Sequence, residues 1–305
     1  MAVAALNLVS HPLVSVIVPV FNAGGTIQET LQSVVDQTYS PLEVLVADDG
    51  SSDDTRARVA SFAERHSNVR WLPSPVRSGR PAVPRNRALT AAVGEFVAFI
   101  DADDLWTARK IEDQVRVMNA HPSLVLVYSI LRCFGPGVKV LAWPFGLKPI
   151  PYFAAIDART LEMGNTVALS SVMVRRVVVQ GLGGFDEDPN LTAVEDYDLW
   201  VRVSRSGAIG FVPRVHGFYR VHSCGISHDL AAQRRRAEYL VQKLNIQGYS
   251  FRQFKERSFV RSVLWNATDL AITLALNARE RIERTLDVEV PVRSGRRSAR
   301  PSTAR

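Results

Sequence analysis

Asp101-Ala102-Asp103-Asp104 closes an apolar run, Glu95 to Ile100, that reads as a buried strand. In open α/β sheets, ligands bind just beyond the carboxyl ends of the strands. Carboxylate oxygens placed there are hard donors, suited to Mg²⁺ or Mn²⁺ rather than zinc. An ion held this way can neutralise a diphosphate leaving group. The same residues also suit a plain turn, because Asp caps helices and tolerates turn geometry. Two further acidic pairs bear on that choice. Asp48-Asp49 follows another apolar run, and Glu195-Asp196 opens an amphipathic segment, where acids also simply complement the helix dipole.

The elements that must position these groups follow from periodicity. Val14 to Val20 is an apolar, β-branched run ending in Pro19-Val20-Phe21-Asn22. Thr26-Ile27-Gln28-Glu29 has the form of a capping box, and the helix it predicts stops before Pro41. Leu42 to Ala47 predicts a second strand, with an N-cap among Ser51 to Asp54 and a helix to about His66. Val69 to Leu72 predicts a third strand, Arg85 to Ala92 a helix, and Thr107 to Asn119 the helix after the acidic turn, which Asp104 would cap. Strands alternating with helices imply right-handed βαβ units and a mostly parallel sheet. Asn22, Asp48, Asp49, Asp101 and Asp103 then converge on one edge.

Farther on, Leu124 to Cys133 and Val167 to Arg175 predict strands. The Pro-, Gly- and aromatic-rich stretch between them, Phe134 to Phe153, predicts a loop that shapes a pocket. Gly183 to Glu187 predicts a turn, Val194 to Trp200 the start of a helix, and Gly210 to His222 a last strand pair. Trp106, Trp143 and Trp200 are candidates for stacking on a ligand's faces, with core packing favoured for Trp200.

Composition is that of an ordinary globular chain: 305 residues, 47% hydrophobic and 22% charged. The net charge of +7 is concentrated in a tail with Arg293, Arg296, Arg297, Arg300 and Arg305, leaving about +2 for the rest. A nucleic-acid partner is not expected on that distribution. The two cysteines, Cys133 and Cys224, give neither a disulfide framework nor a metal spacing. Met1 to Pro12 does not read as a secretory signal, and no run reaches the roughly 18 apolar residues of a membrane span. A cytoplasmic location is expected.

The ordered set of segments resembles the family 2 inverting glycosyltransferases. It comprises Val14 to Asn22, Val46 to Asp53, Pro84-Arg85-Asn86-Arg87-Ala88, Asp101 to Asp104, Gly183 to Glu187 and Glu195 to Trp200. The resemblance implies a GT-A fold: a Rossmann-like, mostly parallel sheet flanked by helices, with a C-terminal helical extension. It implies a metal-dependent transfer of sugar from a nucleotide-sugar donor, UDP-linked by expectation, to a glycan or lipid-linked acceptor hydroxyl. Pro19, Asn22, Asp48 and Asp49 would lie on the nucleotide, with at least one of the two acids on the base. Arg85 would lie near the nucleotide and diphosphate, and Asp101 at the ribose. Asp103 and His222 would hold Mn²⁺ or Mg²⁺, while Asp186 and Glu187 would line the sugar pocket. Asp196 would be the general base, with Glu195 orienting it or touching the acceptor, and Asp198 structural.

Two alternatives stay open at this point. A sugar nucleotidyltransferase also needs acidic metal sites, but Phe21 to Gly25 lacks the basic phosphate loop expected of one. A catalytically inactive relative acting as a binding subunit is the other. The expected organisation is a catalytic domain over 1–225, a helical region over 226–290 and a disordered basic tail over 291–305. The apolar stretch from Phe259 to Leu276 would either pack on the catalytic domain or lie peripherally on the inner face of the plasma membrane.

Overall fold

The computed structural model describes residues 11–135, 161–162, 165, 167–221 and 230–246, all within one compact unit, Met1–Val263. Its frame is an eight-stranded sheet ordered β3-β2-β1-β4-β7-β6-β8-β5. The strands are β1 (Val14–Val20), β2 (Leu42–Asp48), β3 (Val69–Leu72), β4 (Phe96–Phe99), β5 (Leu105–Trp106), β6 (Leu124–Phe134), β7 (Met173–Arg175) and β8 (Ala208–Arg220). The helices among the described residues are α1 (Ile27–Val35), α2 (Thr55–Ala63), α3 (Ala82–Ala91), α4 (Lys110–Ala120), α5 (Arg176–Gly181), α6 (Glu195–Ser204) and α7 (Leu230–Lys243). Short 3₁₀ turns occupy Leu169–Ser171 and Pro189–Leu191.

The first four strands of that order are all parallel. Their continuous Val/Ile/Leu character reflects burial on both faces. Residues of β1 alternate between two cores. Ile17 joins Leu45, Phe99, Phe185 and Trp200 on the side of α3 and α6. Val16 and Val18 join Ile27, Leu31, Phe62 and Met118 on the side of α1, α2 and α4. The other half is mixed. β7 runs antiparallel to β4 and β6, β6 and β8 are parallel, and β5 is antiparallel to β8.

One connection shapes the site. Consecutive strands β4 and β5 are separated in the sheet by β7, β6 and β8. The chain from Phe99 to Leu105 reaches at most about 20 Å, and four strand spacings consume nearly all of it at about 4.8 Å each. The link is not extended, because the Asp104 amide bonds to the Asp101 carbonyl at 3.1 Å. The sheet must therefore curl, and the acidic turn lies over its carboxyl edge.

Four sequence expectations change in the fold. The capping box does not form: Thr26 makes no cap bond to α1. Its hydroxyl donates instead to the Ala102 carbonyl at 2.8 Å. Gly210 to Arg220 belongs to one long strand rather than a pair. Val167 to Arg175 holds a 3₁₀ turn and only three strand residues, because Ser170 and Ser171 are drawn into polar contacts. Trp106 and Trp200 are both buried, so neither offers a face to a sugar. Trp143, Cys224 and residues 247–305, including the Phe259 to Leu276 stretch, lie outside the described residues. Helix α7 packs against the 3₁₀ turn at Pro189–Leu191, with Leu240 fully buried. Among the described residues, no helix is long and apolar enough to cross a membrane.

Candidate active site

The ends of β1 and β2 are cross-braced. Pro19 lies past the last β1–β4 pairing, Ile17 with Phe99, so its missing N–H costs no bond to β4. Asn22 takes a positive φ of 48°, which Asn tolerates better than most residues. Its Oδ1 accepts from the Ser52 amide at 2.8 Å, and its own amide donates to Ser51 Oγ at 3.0 Å. The Asp48 carboxylate accepts from the Ser51 amide at 3.0 Å. Asp49 is held by the next loop: Oδ1 accepts from the Ser78 amide and hydroxyl at 2.9 and 2.6 Å, and Oδ2 from the Gly79 amide at 3.0 Å. Gly50 permits that approach, since a Cβ there would stand 2.8 Å from the Arg77 nitrogen.

The acidic turn is clamped from three sides. From α1, Thr30 Oγ1 donates to the carbonyls of Ala102 and Asp104 at 3.0 and 2.9 Å. From the 3₁₀ turn, Ser170 Oγ accepts from the Asp101 amide at 3.1 Å. From β8, Arg220 Nε donates to the Asp103 carbonyl at 2.8 Å and Nη2 to Glu29 at 2.6 Å. Asp104 does not cap α4, whose N-cap is Arg109. It is buried and accepts from Ser170 Oγ at 2.5 Å and the Arg220 amide at 3.0 Å. Burial, then the charges of Asp101 and Asp103, push its carboxyl well above the usual range.

Arg85, from α3, joins this turn to the second acidic pair. Nη2 donates to Asp101 Oδ1 at 2.8 Å and Nη1 to Glu195 Oε1 at 2.5 Å. Asp196, next along α6, is half-buried. Its Oδ1 accepts from the Tyr197 amide at 2.7 Å, and its Oδ2 from Asn165 Nδ2 at 3.3 Å. Burial, then the Glu195 charge, raise its carboxyl to about 7, against the pull of Arg85, the Tyr197 amide and Asn165. A carboxylate poised there suits proton abstraction near neutral pH.

The remaining predicted residues are placed as follows. Asp186 pairs with Lys243 of α7 at 2.7 Å. Glu187 accepts from Asn86 at 2.9 Å, and its carbonyl from Arg80 at 2.7 Å. His222 lies outside the described residues. Among the described residues, no group of three or more acidic, His or Cys side chains could enclose an ion. The acidic turn offers hard carboxylate oxygens, so Asp103 would suit Mg²⁺ or Mn²⁺ as a single protein ligand, ions that commonly bind through one or two carboxylates plus substrate phosphates. Sequence reasoning missed the clamps Thr30, Ser170 and Arg220 and the Asn165 contact. The break in the apolar Val167–Arg175 run at Ser170 was the one visible hint.

A family profile described as Glycosyl transferase family 2 matches residues 15–179, more than half of the chain. The chain belongs to that family and is a glycosyltransferase. Over 106 residues it is 45% identical to the Escherichia coli UDP-Glc:alpha-D-GlcNAc-diphosphoundecaprenol beta-1,3-glucosyltransferase WfgD, covering 35% of this chain and 41% of WfgD. The E. coli enzyme WfaP, of the same described activity, is 27% identical over 238 residues, 78% of this chain and 88% of WfaP. Among solved structures, S. aureus TarS 1-349 in complex with UDP-GlcNAc matches with a TM-score of 0.59 at 23% identity, over 70% of this chain and 59% of that one. The Pyrobaculum calidifontis mannosyltransferase PcManGT, in complex with GDP-Man and Mn²⁺, matches with a TM-score of 0.59 at 26% identity, over 89% of this chain and 76% of that one. The expected GT-A fold is the one observed, and the nucleotidyltransferase alternative falls.

Proposed function

We propose that this glycosyltransferase moves a sugar from a UDP-linked donor to a hydroxyl of a glycan or lipid-linked acceptor, with inversion. The observation that carries the reading is Asp196: a half-buried carboxyl raised to about 7, adjoining a residue that shares Arg85 with the Asp101 turn. Asp48 or Asp49 would meet the base, with Pro19 and Asn22 beside it, and Asp101 the ribose. Asp186 and Glu187 would border the sugar. Asp103, with His222, would hold Mn²⁺ or Mg²⁺, which when bound stabilises charge on the departing diphosphate. The acceptor oxygen bonds to the anomeric carbon as the bond to the diphosphate oxygen breaks, and its proton passes to Asp196. A single displacement of this kind inverts the centre.

The names of WfgD and WfaP support UDP-glucose as donor and a lipid diphosphate as acceptor class. A lipid-linked acceptor would place the enzyme peripherally on the cytoplasmic membrane face. The test is UDP release from UDP-glucose and a panel of other nucleotide sugars by the purified full chain. Release that needs Mn²⁺ or Mg²⁺, stops with a chelator and yields product of inverted anomeric configuration supports the reading. Retained configuration, or full turnover by Asp196→Asn, overturns it.

A further inference from the structure

Arg85 stands where the two acidic halves of the site meet. Only 5% of the residue is exposed. Each terminal nitrogen is taken by a carboxylate from a different element, Asp101 after β4 and Glu195 on α6. Its Nε is buried with no hydrogen-bond partner. The Phe185 ring lies 5.5 Å from the guanidinium carbon. A guanidinium that grips phosphate presents a free fork of donors to the ligand; here each arm already bonds a carboxylate of the protein and the residue is buried.

We propose that Arg85 is a positioning residue that holds the Glu195-Asp196 end of α6 in register with the donor-side turn at Asp101, rather than a ligand of the donor's diphosphate. This rests on the glycosyl-transfer reading above. The cation's location has an electrostatic consequence. Charged groups acting on Asp196 are Glu195 on its own helix, which raises its proton affinity, and Arg85 from α3, which lowers it. The Asn165 amide and the Tyr197 N–H also lower it. Removing either charge therefore moves Asp196 in opposite directions.

The experiment compares wild type, Arg85→Lys, Arg85→Gln and Glu195→Gln as full chains. Affinity for UDP with Mn²⁺ is measured by calorimetry. The carboxyl ¹³C titration of Asp196, identified by its loss in Asp196→Asn, is followed by NMR. Turnover is read with UDP-glucose. Arg85→Gln is expected to raise the Asp196 titration and Glu195→Gln to lower it. Both Arg85 variants should lose about 10- to 100-fold in kcat, as misplaced catalytic groups do, while UDP affinity changes by less than about threefold. Tenfold weaker UDP binding in both Arg85 variants, the loss of a charge-assisted hydrogen bond, with an unmoved Asp196 titration overturns the proposal. Should Arg85→Gln not fold, because it strands a buried Glu195, the double variant Arg85→Gln/Glu195→Gln removes both charges together. Its Asp196 titration should move less than that of Glu195→Gln, and a shift as large as that single variant's counts against the proposal. Failure of the glycosyl-transfer reading is separate: it shows as absent sugar transfer by wild type, whatever the Arg85 variants do to the titration.

Discussion

Ser170 Oγ donates to Asp104 Oδ2 at 2.5 Å while accepting from the Asp101 amide at 3.1 Å, so one hydroxyl fixes both ends of the acidic turn. Ser170 and Asp104 are buried, and removing one strands the other. Asp104→Ala leaves the Ser170 hydroxyl and the Arg220 amide without their acceptor, a loss of about 2–3 kcal/mol. Asp104→Asn keeps an acceptor oxygen and should cost less than half as much. Urea denaturation of the two variants checks the ranking; equal losses would show that the hydrogen bonds do not set the cost.

As the proposed base, Asp196 should govern the pH profile. As a base it works deprotonated, so kcat/KM should fall about tenfold per unit below its value of about 7 and level off above it. Asp196→Asn should lower kcat about 10²- to 10⁴-fold and abolish the acid limb. The stability sign is opposite. The folded carboxyl binds its proton more tightly than the unfolded one, so this contribution is fully present below the ordinary Asp range and is lost as pH rises through about 7. The group favours the fold at the pH where the proposed base would be protonated and stops favouring it where that base would act. Rates and melting temperatures measured across pH 5–9 read both effects.

Arg202 fixes the turn before Asp186. It donates to Asp198 through Nε and Nη2 at 2.8 and 2.6 Å, and to the carbonyls of Leu182 and Gly184, both at 2.9 Å. Asp198 is 1% exposed. Arg202→Ala should cost about 3–5 kcal/mol by leaving that acid buried and unpaired. Arg202→Lys should rescue little, because one ammonium cannot replace a planar fork. Thermal melts of the two variants give the comparison.

His216 gives the fold a separate acid sensitivity. It is buried beside Asp113, with Nε2 3.4 Å from Oδ2. Burial lowers its value to about 4, Lys110, Arg214 and Arg109 adding to the effect and Asp113 opposing it. Above the ordinary His range the imidazole is neutral in both states. As pH falls from about 6.5 towards 4 the unfolded chain takes up a proton that the fold refuses, costing up to about 3 kcal/mol. His216→Gln should flatten this part of the stability curve. An unchanged slope in denaturation between pH 4 and 7 would remove His216 as its source.

The sheet's parallel half was legible because β1, β2 and β4 are apolar runs ending in polar residues, a pattern set by burial on both faces. The acidic residues were legible by type, since carboxylates at strand ends have few structural uses in number. Their arrangement was not. Thr26 and Glu29 match a helix-capping pattern, yet Thr26 holds Ala102 and Glu29 holds Arg220. No local pattern distinguishes a hydroxyl that caps from one that reaches across 76 residues. Arg85 likewise carries the family's motif, while its partners are fixed by a crossing of α3, the β4 turn and α6 that only the tertiary structure supplies. Gly184, at a φ of 74° with a would-be Cβ 2.5 Å from Asn86 Oδ1, was read as a turn glycine but also admits that close packing.

The clamps on residues 101–104 come from Thr26 and Thr30, from Ser170 and from Arg220. During synthesis the parallel strands β1 to β4 can pair as soon as residue 99 has emerged, whereas the last clamp is more than a hundred residues behind. The turn that would carry the donor is therefore among the last parts of the fold to be set. A nascent chain that has not yet delivered β8 would hold the turn through Thr26, Thr30 and Ser170 but without the Arg220 clamp, so the turn would be fastened in stages.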